Sequence, residues 1–193
     1  MLEAADQEFR RVKRSQGRRI RCRQGCDDCC SRLFQISELE AAEVSRAVDA
    51  LPAAARAQVV RRSERYLEIR GEMLRRTGYV ESWGALPRPD ARLPCPLLDA
   101  GRCLIYADRP RSCRLYGAPL HHPRMPGRIF ACEHNFAAGE AIEEPRLVSI
   151  QTALAEDWSV LQETYDRAGG RRFEEPVTVA HAALHDFSDY PPE

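Results

Sequence analysis

Apolar residues recur every three or four positions in four stretches of the chain, which is the spacing of an amphipathic α-helix. The pattern predicts helices over residues 2–15, 38–50, 53–76 and 145–168. No periodic segment appears between the third stretch and the fourth. The predicted fold is therefore mainly α, with a helical scaffold around a loop-rich core.

Local signals set the ends of these helices. Ser37 and Glu40 have the spacing of a capping box, in which each side chain accepts a hydrogen bond from the amide of the other residue. Pro52 suits the start of the third helix, so we expect the second and third helices to form an antiparallel hairpin. The faces expected to be buried on the third and fourth helices are those of Val59 or Val60, Tyr66, Leu67, Met73 and Leu74, and of Leu147, Ile150, Leu154, Trp158, Leu161 and Tyr165.

Residues 77–135 are rich in proline, and an ordered structure there requires a stabilising interaction other than regular secondary structure. Eight of the 13 prolines lie there, and so long a loop region is uncommon inside a compact domain. Four cysteines fall within it, at positions 95, 103, 113 and 132. A metal bound by these sulfurs can hold irregular backbone that no hydrophobic core holds.

The composition is that of a globular protein, and we expect one domain over residues 1–193. Charged residues make up 30% and hydrophobic residues 44% of the chain. No apolar run approaches the ~18–20 residues of a membrane-spanning helix. The acidic N-terminus lacks the basic and apolar segments of a secretory signal. The expected compartment is the cytoplasm, and no membrane partner is expected.

Charge is distributed unevenly, although the formal net charge is zero. Residues 1–132 carry 25 basic and 16 acidic side chains, whereas residues 133–193 carry 4 and 13. The two parts can dock electrostatically, or the basic part can attract an anion. Eight basic residues lie between Arg10 and Arg23, without the interleaved aromatic residues of proteins that bind single strands. We interpret this stretch as a solvated helix face and do not expect a nucleic-acid partner.

Eight cysteines in a chain without an export signal favour metal ligation over disulfides, because cytoplasmic thiols are kept reduced. Four of them, Cys22, Cys26, Cys29 and Cys30, lie within nine residues. A spacing of two residues lets a tight loop present two sulfurs to one ion while amide N–H groups point toward them. Adjacent Cys29 and Cys30 are expected to point in opposite directions along an extended segment. Either one of them is a spare, or the two face different metals.

A short helix is expected around the third cysteine of the loop region. Asp108 is placed to cap it, with Pro110 in its first turn and Cys113 about one turn further on. Arg111 and Arg114 flank this cysteine. Positive charge near a thiol favours the thiolate, so we expect the arginines to ease metal binding there.

All eight cysteines are predicted metal ligands: Cys22, Cys26, Cys29, Cys30, Cys95, Cys103, Cys113 and Cys132. Eight sulfurs suffice for two four-sulfur sites, or for one site plus four packing or redox cysteines. All-sulfur ligation suits zinc and iron–sulfur clusters and disfavours magnesium and calcium. The predicted cofactor is therefore zinc or an iron–sulfur cluster, and the predicted partner is that metal ion or cluster.

At these cysteines the chain resembles the family named for a CxxCxxCC-type motif, a zinc- or iron-chelating domain. The matching segments are CRQGCDDCC (22–30), CPLL (95–98) and GRCLIYADRPRSCR (101–114), with Cys132 closing the pattern. The resemblance covers about residues 20–135 and implies metal chelation by this part of the chain. Flagellin lysine methylases look like distant carriers of the same module.

A second resemblance is weaker. Cys22, Cys26 and Cys29 have the spacing of the cluster loop in radical S-adenosylmethionine enzymes, but Asp28 stands where those enzymes usually carry an aromatic residue. The chain also lacks the strand–helix alternation that builds their barrel. The histidines expected to face solvent, and not to bind metal, are His134, His181 and His185.

Two functions therefore remain open. The first is a binding module that holds zinc or an iron–sulfur cluster for metal handling or redox sensing. The alternative is an iron–sulfur enzyme for methyl transfer or redox chemistry, with S-adenosylmethionine as a candidate co-substrate. The sequence identifies no catalytic residue.

Overall fold

Helices dominate the structure, a computed structural model that describes residues 2–23, 25–78, 91–121, 127–169, 173 and 175–187. The prediction of a mainly α fold is confirmed. The α-helices of these residues are α1 (Leu2–Gln16), α2 (Glu38–Asp49), α3 (Ala53–Thr77), α4 (Arg111–Leu115), α5 (Leu147–Gly169) and α6 (Val179–Leu184). No helix among them is long and apolar enough to span a bilayer.

The four predicted helices end close to where local signals place them. The hydroxyl of Ser37 accepts a hydrogen bond from the Glu40 amide at 3.2 Å, and the Glu40 carboxylate accepts one from the Ser37 amide at 3.0 Å. This is the predicted capping box of α2. The C-terminus of α3 is set by Gly78, whose φ of +62° is the left-handed conformation that favours glycine.

The described part of residues 77–135 is irregular, as predicted. Beside the five-residue helix α4 it contains two antiparallel pairs of two-residue strands. These pairs are β1 (Leu98–Asp99) with β2 (Arg102–Cys103), and β3 (Leu120–His121) with β4 (Ile129–Phe130). The loop expected over residues 79–90 and 122–126 lies outside the described residues.

Helix α6 closes the largest of three hydrophobic cores among the described residues. It packs against both α2 and α3, and the Ser45 hydroxyl in α2 donates to the Ala182 carbonyl at 2.8 Å. The two helices of the expected hairpin therefore meet mainly through α6. Cys95 and Cys103 pack against this core.

The second core lies between α1, α5 and the loop before α5. Its buried members are Val12, Ile20, Ala118, Phe136 and Leu147, and Cys22 packs against it. Cys95 and Cys103 thus border one core, and Cys22 borders another.

Ion pairs join the basic N-terminal stretch to acidic residues after position 132. Arg11 lies 2.7 Å from Glu144, and Arg19 lies 2.6 Å from Glu140. Electrostatic docking of the basic part on the acidic part, one of the two alternatives, is therefore present. It uses only some of the arginines in that stretch.

Two of the predicted helix faces need correction. On α3, Val59 and Tyr66 are buried as predicted, and Leu67 and Met73 are half-buried against a hydrophobic cluster, but Ser63 and Arg70 are buried as well, so the face includes polar groups.

On α5, Leu161 is 42% exposed and not buried as predicted. Leu147 and Tyr165 of the same predicted face are buried. Gln151 is also buried, and its carboxamide accepts from the His121 amide at 2.8 Å and donates to the Pro119 carbonyl at 2.9 Å. These hydrogen bonds tie α5 to β3 and to the residue before it.

Candidate metal centre

The two cysteine-bearing stretches meet at a short backbone pairing. The Cys95 amide donates to the Cys30 carbonyl at 2.6 Å, and the Leu93 amide donates to the Ser31 carbonyl at 2.8 Å. An isolated antiparallel bridge between Arg32 and Arg92 extends the pairing by one residue of each segment. Residues more than sixty positions apart in sequence are thereby fixed side by side.

Four sulfurs form what we call the first sulfur group: Cys29, Cys95, Cys103 and Cys113. Burial raises the pKa of the Cys113 thiol well above its ordinary value, and the other three sulfurs raise it further. Burial likewise raises the pKa of Cys95 to about 12, with Cys103 and Cys29 adding to the effect. Buried thiols beside other thiols hold their protons tightly, and a bound cation is the physical means of removing those protons.

Backbone amides point at several of the sulfurs. In Cys95, Cys103 and Cys132, the amide two residues further along the chain donates a hydrogen bond to the sulfur. Each of these bonds lowers the pKa of its thiol and so opposes the effect of burial. Inward-pointing amides of this kind stabilise thiolate ligands and tune the metal they hold.

Three further sulfurs form the second sulfur group: Cys22, Cys26 and Cys132. Burial raises the pKa of Cys22, and the sulfurs of Cys26 and Cys29 raise it further. Burial also raises the pKa of Cys132, and the charges of Asp28, Cys22 and Cys26 raise it further. Cys132 is buried, whereas Cys26 is exposed at the surface.

Two residues fix the sulfur of Cys22 in place. The Asn135 side chain accepts from the Arg21 amide at 2.9 Å, donates to the Gly117 carbonyl at 2.7 Å, and has its nitrogen 3.4 Å from the Cys22 sulfur. Gly117 has φ +100°, and a Cβ atom there would lie 2.4 Å from the same sulfur. No other residue type fits this position without a shift.

Cys29 and Cys30 do not point in opposite directions as predicted. Residues Asp28–Ser31 form a 3-10 helix and not an extended segment, so neighbouring side chains leave the backbone on adjacent sides. The Cys30 thiol forms a hydrogen bond with the Cys29 sulfur, which with burial raises the pKa of Cys29 far above its ordinary range. Cys29 also raises the pKa of Cys22. The pair Cys29 and Cys30 therefore lies where the two sulfur groups meet.

The predicted cap of α4 is wrong. Asp108 ends a separate 3-10 helix, and α4 begins at Arg111 after Pro110. The start of α4 is held instead by Glu40, whose carboxylate accepts from the Arg111 amide at 2.8 Å. The capping-box glutamate of α2 therefore also positions the helix that carries Cys113.

The flanking arginines do not favour the Cys113 thiolate, because they face other groups. The Arg114 guanidinium donates to the carboxylate of Asp6 and to the carbonyls of Ala107 and Arg109. The Arg111 guanidinium lies over the ring of Trp158, 5.2 Å from its centroid. The raised pKa of Cys113 contradicts the prediction made from sequence spacing alone.

A network of charges ties the segments around the second group together. Arg32 lies 3.1 Å from Asp28 and 3.0 Å from Glu133, and Arg92 lies 3.2 Å from Glu133. Donor atoms of Asp28, Glu133 and His134 come within 4.8 Å of one another. Both carboxylates already have guanidinium partners, so their charge is balanced without a metal. The side chain of His134 is 56% exposed, as predicted.

The spacing of the sulfurs tests which metal they fit. Among the described residues, which include every cysteine, the Asp28–Glu133–His134 set is the one group of three donor atoms within 4.8 Å of one another. No three sulfurs are therefore that close. Four sulfurs bound to one zinc ion at ~2.3 Å stand about 3.8 Å apart, so the observed arrangement is wider than a single tetrahedral ion requires.

The predicted surface position of His181 also needs correction. Its Nδ1 lies 3.1 Å from the Thr178 amide and completes a capping box at the start of α6. His185, four residues on, is exposed as predicted. The roles of His181, Asn135 and Gly117 were missed because each depends on a contact that the cysteine spacing does not encode. A signal for Asn135 was available in its place three residues after Cys132.

Comparison with known proteins bears on the whole arrangement. The model of the family CxxCxxCC, described as "putative zinc- or iron-chelating domain", matches residues 21–135. Neither the curated proteins nor the solved structures contain a match to the chain. The matched stretch is more than half of the 193 residues and includes all eight cysteines, with Asn135 as its last residue. The chain therefore belongs to the CxxCxxCC family of zinc- or iron-chelating domains.

Proposed function

We propose that the chain holds two metal centres built from its cysteines. The first centre uses the first sulfur group, Cys29, Cys95, Cys103 and Cys113. The second uses the second sulfur group, Cys22, Cys26 and Cys132, completed by Cys30. The grouping of the thiols by their mutual effect on pKa supports this division. Cys30 is assigned to the second centre because the first already has four sulfurs and Cys30 lies at the junction, beside Cys29.

The metal we propose is iron, as iron–sulfur clusters. The observation that carries this choice is the spacing of the sulfurs, since no three lie within 4.8 Å. In a [4Fe–4S] cluster each thiolate would bind a different iron, so the sulfurs would stand farther apart than around one zinc ion. The amide hydrogen bonds to Cys95, Cys103 and Cys132 are of the kind that set the potential of such clusters.

The role we infer for these centres is electron transfer or redox sensing. When bound, a cluster supplies one-electron chemistry. The chain contributes thiolates, amide donors and hydrophobic cores against which Cys22, Cys95 and Cys103 pack. Cys26 is exposed, and its sulfur opens the second centre to an oxidant or an electron-transfer partner.

An iron–sulfur enzyme is the second candidate. The observation that favours it is an open depression against Asn135, next to the second sulfur group, where a small molecule has room to bind. Methyl transfer and redox chemistry are the reaction classes we retain for it.

Isolation of the chain without oxygen tests the proposal. We expect a brown protein that contains iron and acid-labile sulfide in about equal amounts. A colourless protein with two zinc ions per chain would exclude iron–sulfur clusters but would support two metal centres. A folded protein with neither metal would contradict the proposal. Tight binding of S-adenosylmethionine to the iron-loaded protein would favour the enzyme over the electron-transfer module.

A further inference from the structure

An open depression of about 380 Å³ lies beside the second sulfur group, within the size range of small-molecule sites. Arg18, Arg21 and Asn135 line it, and Asn135 is the residue whose amide contacts the Cys22 sulfur. We infer that this depression binds a small molecule through a phosphate or carboxylate group.

The charges of the lining residues leave an unbalanced positive pair. Glu140 is neutralised by Arg19 at 2.6 Å, and Glu133 is neutralised by Arg32 and Arg92 at 3.0 and 3.2 Å. The guanidiniums of the other two lining arginines, at positions 18 and 21, are exposed and have no partner among the described residues. An anionic ligand is what this unbalanced charge attracts.

Local structure holds the two arginines at the edge of the depression. Gly17 adopts φ +54° and begins the 3-10 helix Gly17–Arg19, so the chain turns sharply after α1. The Arg21 amide is fixed by the Asn135 carboxamide at 2.9 Å. Anchored backbone with unoccupied guanidiniums is a partly preorganised arrangement, and the planar fork of arginine matches phosphate and carboxylate oxygens.

A nucleic acid is the competing ligand, because Arg10, Arg14 and Arg23 are also exposed and have no partner among the described residues. Two features favour a small ligand. The depression is concave, and at its lining only Arg18 and Arg21 carry a charge that no described residue balances, which suits one anionic group better than an extended run of phosphates. Binding of the anion does not need the metal, but its placement beside a metal centre rests on the proposed function.

Titration calorimetry on the full chain, isolated without oxygen, tests the inference. Inorganic pyrophosphate and citrate serve as probes in 0.15 M salt, where the Debye length is about 8 Å and distant charges are screened. Saturable binding of one probe per chain is expected. Arg18→Ala with Arg21→Ala is expected to weaken it at least about tenfold, which corresponds to about 1.4 kcal/mol.

The control is Arg10→Ala with Arg14→Ala, which removes the same charge from the same stretch and is expected to change the affinity less than about twofold. Equal weakening in both double variants would overturn the site. So would the absence of saturable binding to wild type. Tighter binding of a single-stranded oligonucleotide, lost with Arg10 and Arg14, would identify a polyanion surface instead and would also overturn it. Metal content is measured on the same samples, so intact anion binding by a metal-free chain refutes the proposed function alone.

Discussion

The side-chain nitrogen of Asn135 lies 3.4 Å from the Cys22 sulfur and donates to the Gly117 carbonyl at 2.7 Å. One buried amide thus links a sulfur, a turn and, through the Arg21 amide, the segment that precedes the sulfur. Donors to ligand sulfur set both the orientation of the ligand and the electron density on the metal. This contact therefore predicts an effect on the centre that a purely structural amide would not have.

Replacing Asn135 by Ala removes three hydrogen bonds, and we expect the free energy of unfolding to fall by about 1–3 kcal/mol. Loss of the donor to sulfur should also shift the reduction potential or visible absorption of the metal-loaded protein. Gln151→Ala is the matched control, since Gln151 is an equally buried carboxamide that bonds two backbone groups and no sulfur. Denaturation and redox titration of both variants decide the matter. A spectrum that changes equally in both would show that the contact to sulfur has no special role.

Substitution of Gly117 is expected to be more damaging than its backbone conformation alone explains. Gly117→Ala introduces a Cβ 2.4 Å from the Cys22 sulfur, in addition to ~1–2 kcal/mol of strain at positive φ. Gly139→Ala carries a similar strain at φ +78° with no atom within 4 Å of the new Cβ. We expect both variants to melt at lower temperature, and only Gly117→Ala to lose metal on isolation. Full metal content in Gly117→Ala would contradict the close approach of backbone and sulfur.

The docking of α1 on α4 depends on Asp6. Arg114 is buried, and its guanidinium pairs with the Asp6 carboxylate, which also accepts from Arg109 at 2.9 Å. Asp6→Asn leaves a buried charge without its counter-ion, and we expect a loss of about 2–4 kcal/mol in the free energy of unfolding. Glu3→Gln, on the exposed face of the same helix, should change stability by less than about 0.5 kcal/mol. Chemical denaturation measures both, and similar losses would show that the buried pair is not what holds α1.

Stability should depend on pH through His181. Burial lowers the pKa of His181 to about 4, and the charges of Arg70 and His185 lower it further, whereas an unfolded histidine has a pKa of about 6.5. Between these values the unfolded chain binds a proton that the folded chain does not. The contribution of His181 is therefore complete above about pH 6.5 and falls as the pH drops toward 4.

His181→Gln tests this dependence, because glutamine at the same position completes a capping box with Thr178 and does not titrate. We expect denaturation at pH 5 and pH 7.5 to show a smaller pH effect in this variant than in wild type. The control, His185→Gln, removes an exposed histidine and should leave the pH effect nearly unchanged. An unaltered slope in His181→Gln would show that other groups cause the acid sensitivity.

Local interactions were predictable from the sequence. The capping box of Ser37 and Glu40 joins residues three positions apart, so its pattern is visible in the chain and is present in the structure. The four long helices and the irregular cysteine region follow from patterns of similar range. The resemblance in the cysteine segments identified the family, whose model matches residues 21–135.

Long-range contacts were not predictable, and they decide the chemistry around the sulfurs. Arg114 was expected to assist Cys113 from its position next to it, but Asp6, 108 residues away in sequence, binds its guanidinium. Gly117 and Cys22 are far apart in sequence and approach each other only because their two segments fold together, joined by the Asn135 side chain. The orientation of Cys29 and Cys30 was missed because a 3-10 turn replaced the extended segment that the argument assumed.

Metal content per chain in Cys113→Ser and Cys132→Ser is the measurement that tests two separate centres most directly. Each substitution removes one sulfur from a different group, so each variant is expected to keep about half of the wild-type metal, and the double variant none. Circular dichroism should confirm that the helices remain in both single variants. Loss of all metal from either folded variant, or full retention in both, would contradict two centres with these ligands.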